Sequence, residues 1–584
     1  MKNQYTELFF KALSEKNNKN YLKSKKIFNK LLSTEKVLEA KFHLSQIYLL
    51  EKEFSYAKPY IEEMILKEYE LPANLNNYST ILCYEKKYGE AIVCLKKALK
   101  FRPNDVYVEK SIAYIYRLNK QYAEAEKIYK KILTNHPLDV LNLIHISNLY
   151  FILGKTFLGL KFLLKAYQLD KANYETIFNL IARLPYVKIK YQKYLELLQK
   201  IIPKKILHEN KIQKKSAINH AHKTTNLEQK KNLKLGFVST NFFSHPVGYF
   251  LLDFLKTLKT YDVQIYLISD RNSEDNYTKE IKQHCHAWIK IFSMNNFTAM
   301  EKILSFELDF LFDLNGITNA NRRDLFSCKL ANKMVSWLGW FTSTGIPNID
   351  YIHGDRHATP DNDQCKFSEK LVNNNNIWSC LSTSDILDVN SEINLDKKYF
   401  VYGMFQNPLK MSRQLIKAWS EILNKSKNTE ILFGNNLYDN KLITKRILKL
   451  FSYYNVNLDK IKFSKKQDRR QAIERYNLID AVLDTFPFNG ATSSFEASFM
   501  GVPIITLNDT AHPTFRAGVS INSNLNLEKY IANNEKDYVF KALQLADNKS
   551  FSLRKNLMDS NRKSRLFDMK NFVEKFYETY NRLS

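Results

Sequence analysis

"DTFPFNGATSSFEASFMGVPIITL", Asp484 to Leu507, sets two apolar runs around a short polar turn, Asn489-Gly490-Ala491-Thr492-Ser493-Ser494. With the residues just before it, "DAVLDTF" reads as a buried strand, "SSFEASFM" as a helix and "PIITL" as a second strand. That is one unit of a parallel sheet. Its turn places backbone N–H groups and two hydroxyls at a helix N-terminus, an arrangement that suits a phosphate. A plainer reading has Thr492 or Ser493 as N-cap, with Glu496 reaching back in a capping box.

Outward from this stretch the same alternation continues. "YFVYGMF", "TEILFGN" and "KIKFSK" are strands, separated by the helical segments "SRQLIKAWSEILN", "KLITKRILKLF" and "DRRQAIERY". An earlier set begins at Leu233, with strands in "LKLGFVST", "VQIYLISD", "LDFLFDLNG" and "KMVSWLG" and a helix in "VGYFLLDFLKTL". Two doubly wound halves are expected, with ligands outside the carboxyl ends of their strands. At those ends stand Gln406-Asn407-Pro408-Leu409-Lys410 in the second half and Asn241-Phe242-Phe243-Ser244-His245-Pro246 in the first. A compact ammonium at Lys410 suits phosphate oxygens, and Pro246 stiffens the loop that holds His245. The chain contains neither GxGxxG nor GxxxxGK[ST], so neither a dinucleotide cofactor nor a P-loop is indicated.

The first part of the chain is repetitive. Ala57, Ala91 and Ala125 recur 34 residues apart, in "FSYAKPYIEEMI", "YGEAIVCLKKAL" and "YAEAEKIYKKIL". Ser45, Ser79, Ala113 and Ser147 run in phase with them, as do Tyr48, Leu82, Tyr116 and Tyr150. Small residues at one place let two helices cross closely, and the larger column fills the gap beside them. Stacked helix pairs form a curved solenoid, a protein-binding surface or an oligomer scaffold. Residues 203–232 are lysine-rich without sustained apolar periodicity and read as an exposed linker.

With 584 residues the chain exceeds one core, and domain sizes suggest about three or four units. A net charge of +28 admits nucleic acid as a partner, but the lysines travel with asparagines along the whole chain rather than on one face. The six cysteines form no CxxC pair, and reduced thiols are expected. His284-Cys285-His286 are neighbours whose side chains diverge, so no metal site is assigned to them. No apolar run has spanning length and the N-terminal apolar stretch is too short for a signal peptide, so the expected location is cytoplasmic.

The repeats, followed by "LGFVSTNFFSHPVGYF", "DLNGITNANR", "WLGWFTSTGIPNIDYIHGDRHATP", "FSEKLV", "FQNPLK", the opening stretch and "HPTFRAGVSI", resemble the O-linked N-acetylglucosamine transferase / SPINDLY family, glycosyltransferase family 41, with tetratricopeptide repeats. The resemblance covers nearly the whole chain and looks like the compact bacterial form. It implies a GT-B fold: a tetratricopeptide α-solenoid over 1–200, a basic linker over 201–232, an acceptor-side lobe over 233–390, and a nucleotide-sugar lobe with closing C-terminal helices over 391–584. The implied reaction is metal-independent, inverting transfer of a sugar to Ser or Thr of a protein presented by the repeats. UDP-GlcNAc is the leading donor and serves as co-substrate, with no cofactor.

By motif position, His245 matches a histidine beside the acceptor and Lys410 a lysine on the diphosphate. Asn407 sits where relatives carry glutamine or asparagine. Thr492 and Ser493 match the hydroxyl pair that receives the β-phosphate, Glu496 falls where an aspartate often binds ribose, and Asn489 and Gly490 form the turn between. His512 and Arg516 follow the "PIITL" strand as further donor-side candidates, while Trp337 and Trp340 read as core and cleft wall. His353 and His357 read as loop histidines with local hydrogen bonds. Ala491, Ala472 and Tyr249 stand where relatives carry histidines, which leaves GDP-fucose or a UDP-hexose open as donor. The other readings are a scaffold with an inactive nucleotide-binding region and a nucleic-acid-binding surface. Oligomeric state stays open.

Overall fold

The fold is described from a computed structural model that covers residues 2–18, 20–51, 53–187, 196–198, 232–292, 294–318, 322–340, 342–374, 377–390, 392, 398–465, 467–510, 516–548 and 551–584. The basic linker over 201–232 lies outside the described residues except for Asn232, and His512 lies outside them too. Internal contacts divide the chain into two compact units. One comprises 1–149, 168–170 and 292–295; the other comprises 150–167, 171–291 and 296–584.

In the first unit consecutive helices pair: Lys2–Asn17 with Tyr21–Leu31, Val37–Leu50 with Phe54–Leu66, Leu71–Tyr84 with Tyr88–Phe101, and Val106–Leu118 with Tyr122–Asn135. Ala57, Ala91 and Ala125 are fully buried, which is the close helix crossing that their period predicts. One turn recurs between paired helices. The N–H groups of Glu53, Lys87 and Gln121 donate to the carbonyls of Tyr48, Leu82 and Tyr116 at 2.7, 2.8 and 2.8 Å. Lys86 and Lys120 take positive φ in these turns, 61° and 60°. This backbone ends a helix by returning the chain on its own last carbonyls. The second unit repeats it at Gly154, with φ 68°, where Lys155 N–H donates to Tyr150 O at 2.8 Å.

The second unit continues with helices Thr156–Leu169 and Tyr174–Arg183 and a short turn Leu184–Tyr186, then two parallel sheets. The first has strands β1 (Leu233–Ser239), β2 (Val263–Ser269), β3 (Ala287–Lys290), β4 (Phe310–Asp313), β5 (Lys333–Ser336), β6 (Tyr351–Asp355) and β7 (Lys370–Asn374), in the order β3-β2-β1-β4-β5-β6-β7. The second has β8 (Phe400–Met404), β9 (Thr429–Phe433), β10 (Ile461–Phe463), β11 (Ala481–Leu483), β12 (Ile504–Leu507) and β13 (Ile531–Ala532), in the order β10-β9-β8-β11-β12-β13. Both orders reverse direction beside their first strand, between β1 and β4 and between β8 and β11. Crevices open at such reversals, at the carboxyl ends of the strands.

The central strands are buried on both faces, as parallel strands covered by helices must be. Phe237 of β1 pairs in register with Phe312 of β4, their rings stacked at 4.9 Å. The last helix, Met569–Leu583, packs on helix Pro246–Leu258 of the first lobe. Its apolar stripe Phe572, Val573, Phe576 and Tyr580 is buried there, against Phe254, Phe312 and Trp337. His353 is not in a loop. It lies in β6, fully enclosed, with Nδ1 2.9 Å from the Tyr580 hydroxyl, and burial lowers its pKa to about 3. Trp337 is core, its indole N–H donating to Trp378 O at 2.9 Å.

Candidate active site

A cavity of about 720 Å³ opens at the carboxyl ends of β1 and β8 and at the turn after β11, which are the two reversal points. His245, Asn407, Lys410, Thr492, Ser493 and Glu496 all line it. Residues as far apart in sequence as His245 and Glu496 thus converge because two sheets of the same topology present equivalent edges to one crevice.

His245 is the N-cap of helix Pro246–Leu258, extended at φ −151° and ψ 153°. Pro246 at the first helical position has no N–H to satisfy and fixes where the helix starts. The His245 Nδ1 accepts from the Val247 N–H at 3.2 Å. That bond assigns the proton of the neutral ring to Nε2. Burial first, and then the Arg271 charge, lower its pKa to about 4.

On the opposite lobe, Asn407 caps the turn Pro408–Lys410, its Oδ1 accepting from Leu409 N–H at 2.9 Å. The Lys410 ammonium donates to Asn489 O at 2.6 Å and lies 4.6 Å from the centre of the Phe488 ring. Burial lowers its pKa to about 8, opposed by the Asp484 carboxylate. Asn489 and Gly490 stand behind the cavity wall. The Asn489 Nδ2 donates to Thr485 O at 3.0 Å. A Cβ on Gly490 would come 2.4 Å from Gln406 Nε2 and would displace the amide that donates to Asp484.

Helix Thr492–Phe499 has no side-chain cap among the described residues. Its N-cap is Ala491, which offers no side-chain acceptor, and Ala491, Thr492 and Ser493 line the cavity. The capping-box reading is therefore corrected: Thr492 and Ser493 are the first helical residues, and Glu496 does not reach back. Glu496 is paired with Arg469, and its Oε2 accepts from the Tyr476 hydroxyl at 3.2 Å. Arg469 also pairs with Asp385 at 3.3 Å and lies 3.8 Å over the Tyr249 ring, which raises its pKa further. Glu496 at the cavity is thus an anchored carboxylate rather than a free one.

Arg516 is held elsewhere. It pairs with Asp363 at 2.8 Å and is not on the cavity wall. His512 lies outside the described residues. Sequence reasoning missed Asp484, the buried carboxylate behind the turn. Its Oδ1 accepts from Gln406 Nε2, Thr485 N–H and Gly490 N–H at 2.8, 2.8 and 2.7 Å, and its Oδ2 from the Thr506 hydroxyl at 2.7 Å. Burial still pushes its pKa up. A signal for it existed. Asp313 ends β4 in the first lobe and its carboxylate accepts from Asn315 and Gly316 N–H groups at 2.9 and 3.1 Å. "DLNG" and "DTFPFNG" are therefore two versions of one device, an aspartate ending the strand and fixing an Asn-Gly turn.

Comparison with known proteins gives three results. The sequence profile of the family Glycosyl transferase family 41 matches residues 198–380 and 379–576. A probable UDP-N-acetylglucosamine–peptide N-acetylglucosaminyltransferase SPINDLY of Petunia hybrida is 28% identical over 364 residues, 60% of this chain and 39% of that one. A probable UDP-N-acetylglucosamine–peptide N-acetylglucosaminyltransferase SEC of Arabidopsis thaliana is 25% identical over 362 residues, 60% and 37% of the two chains. The chain thus spans under two fifths of the length of these relatives. Among solved structures, a mutant of the Thermobaculum terrenum O-GlcNAc transferase shares the fold, with TM-score 0.77 and 19% identity over 88% of this chain and 97% of that one.

Proposed function

Because the chain belongs to glycosyl transferase family 41, we propose that it transfers a sugar from a nucleoside-diphosphate sugar to a serine or threonine hydroxyl of a protein. The observation that carries this reading is the convergence of Lys410, the uncapped N-terminus at Thr492 and Ser493, and His245 on one cavity. When the bond from the sugar to the β-phosphate breaks, its electron pair leaves with the diphosphate. The Lys410 ammonium, two helix N–H groups and two hydroxyls receive that charge. They supply the field that a divalent cation would otherwise provide, so the transfer runs without one.

The acceptor hydroxyl attacks the anomeric carbon from the face opposite the diphosphate, and the configuration inverts. His245 donates from Nε2–H to orient the acceptor oxygen; its ring nitrogen Nδ1 is occupied by the Val247 amide. The hydroxyl proton passes to an oxygen of the departing diphosphate. Asn407 closes the cavity at the Pro408 turn, and Glu496, anchored by Arg469, faces the donor ribose.

The names of the relatives favour UDP-GlcNAc as donor. Ala491 on the cavity wall and Ala472 nearby in sequence to Arg469 are small where the family resemblance places histidines, which keeps GDP-fucose or a UDP-hexose as the alternative. The helix pairs bind the acceptor protein, as solenoid surfaces do. The proposed location is the cytoplasm. No described helix is long and apolar enough to cross a membrane. Mass spectrometry of cellular proteins with and without this chain tests the reading. An N-acetylhexosamine-sized, hexose-sized or deoxyhexose-sized addition on Ser or Thr, dependent on the chain, is expected; identical modification patterns would overturn it.

A further inference from the structure

The turn Leu184–Tyr186 packs on Phe488, next to groups that line the cavity. In Tyr186, the last residue of the Leu184–Tyr186 turn, the phenol ring stacks on Phe488, with centroids 4.7 Å apart and planes 9° from parallel. Phe488 is the ring over which the Lys410 ammonium lies at 4.6 Å, and it immediately precedes Asn489, whose carbonyl accepts from that ammonium. One aromatic side chain is therefore shared by a lysine of the diphosphate site and a tyrosine of the helical region. Stacked pairs of this geometry hold ring orientation, and a cation over a ring face depends on that orientation.

Two contacts at Gly154 and at the start of helix Thr156–Leu169 point the same way. A Cβ on Gly154 would come 3.0 Å from Pro408 O and 3.0 Å from Arg446 Nη1, so the backbone turn presses on the Pro408–Lys410 segment. The Thr156 hydroxyl donates to Leu409 O at 3.4 Å. Helix Tyr174–Arg183, in turn, packs against the short turn Gly316–Thr318, and Thr318 is on the cavity wall. Each of these groups meets a wall segment rather than the cavity itself.

We propose that Tyr186 is a positioning residue of the donor site: by stacking on Phe488 it fixes the ring and the Asn489 carbonyl that aim the Lys410 ammonium at the diphosphate. The end of the helical region is then part of the nucleotide site and not only a docking surface for acceptors. Substitution of Tyr186 leaves every group that touches the donor in place and alters how well one of them is aimed. This inference rests on the assignment of the diphosphate to Lys410.

The test is calorimetric binding of UDP and of GDP, in parallel, to the full chain and to Tyr186→Ala, Tyr186→Phe, Lys410→Ala and the double variant Tyr186→Ala/Lys410→Ala. Tyr186→Ala is expected to weaken nucleotide binding about three- to tenfold, the range of a stacked aromatic pair. Tyr186→Phe, which keeps the ring, is expected to bind as the parent does. In the Lys410→Ala background the Tyr186→Ala change is expected to cost nothing further, because the two residues act through one contact. A merely structural tyrosine would lower thermal stability and weaken binding equally in both backgrounds; that additivity, or parental affinity in a folded Tyr186→Ala, overturns the inference alone. If the parent chain binds neither nucleotide, or Lys410→Ala binds as the parent does, the diphosphate assignment falls and the inference with it.

Discussion

His245 and Lys410 carry opposite protonation problems, and each gives a prediction. Burial holds the imidazole pKa at about 4, below its usual 6.5, so the ring is neutral through the physiological range. The kcat/KM profile should therefore show no inflection from this residue near 6.5, and any acid limb due to it should lie near 4. Replacement by alanine removes the donor that orients the acceptor and should lower kcat by roughly 10²- to 10³-fold, whereas His245→Gln, which retains a donor, should keep more activity than alanine. Lys410 is the reverse case, since burial pulls its pKa down from 10.5 to about 8. In the free enzyme its charge is lost as pH rises through about 8, so kcat/KM should fall there. The bound diphosphate favours the ammonium, so the corresponding limb of kcat should lie at higher pH. Stability moves the other way: between about 8 and 10.5 the unfolded chain still holds the proton, so this residue's contribution rises with pH.

At the scale of elements, the strand–turn–helix around Asp484 is the unit to break. Two carboxylate oxygens there hold four donors from four different residues. Asp484→Asn supplies one acceptor oxygen for these contacts and sets an NH₂ among donors. It should destabilise the protein by about 1–3 kcal/mol and weaken nucleotide binding by calorimetry, although Asp484 does not line the cavity. Unchanged affinity would show that the turn does not depend on it. The turn itself was legible from sequence because Gly490 and the hydroxyls interrupt two apolar runs. The distinction between cap and cradle was not. It depends on the helix starting at Thr492, one residue after an alanine, and boundaries of that precision are set by packing. Arg469 was equally hidden, since its role arises from carboxylates at Asp385 and Glu496 that meet only in the folded chain.

For the whole molecule, the repeat period and the strand–helix alternation were readable because both are enforced by core burial over many residues. Strands β3, β6, β7 and β13 were not singled out: they are two to five residues long, and β6 carries His353, Gly354 and Asp355 in place of an apolar run. The crossing of the last helix to the first lobe was also invisible, because an amphipathic stripe says that a face is buried but not against what. Phe576 is the centre of that contact, 4.9 Å from Phe254 and 5.3 Å from Phe312 and Trp337. Phe576→Ala should lower stability by about 3–5 kcal/mol in denaturant titration, with the groups that line the cavity left in place. The most direct test of the central claim is donor turnover. UDP-GlcNAc, UDP-glucose and GDP-fucose are each offered to the full chain, and to Lys410→Ala, with native cell proteins as acceptors, and sugar transfer is read by mass spectrometry. The account predicts transfer from one of the three by the parent chain, reduced about 10²- to 10³-fold by Lys410→Ala. Transfer at equal rates by both proteins, or by neither, would contradict it.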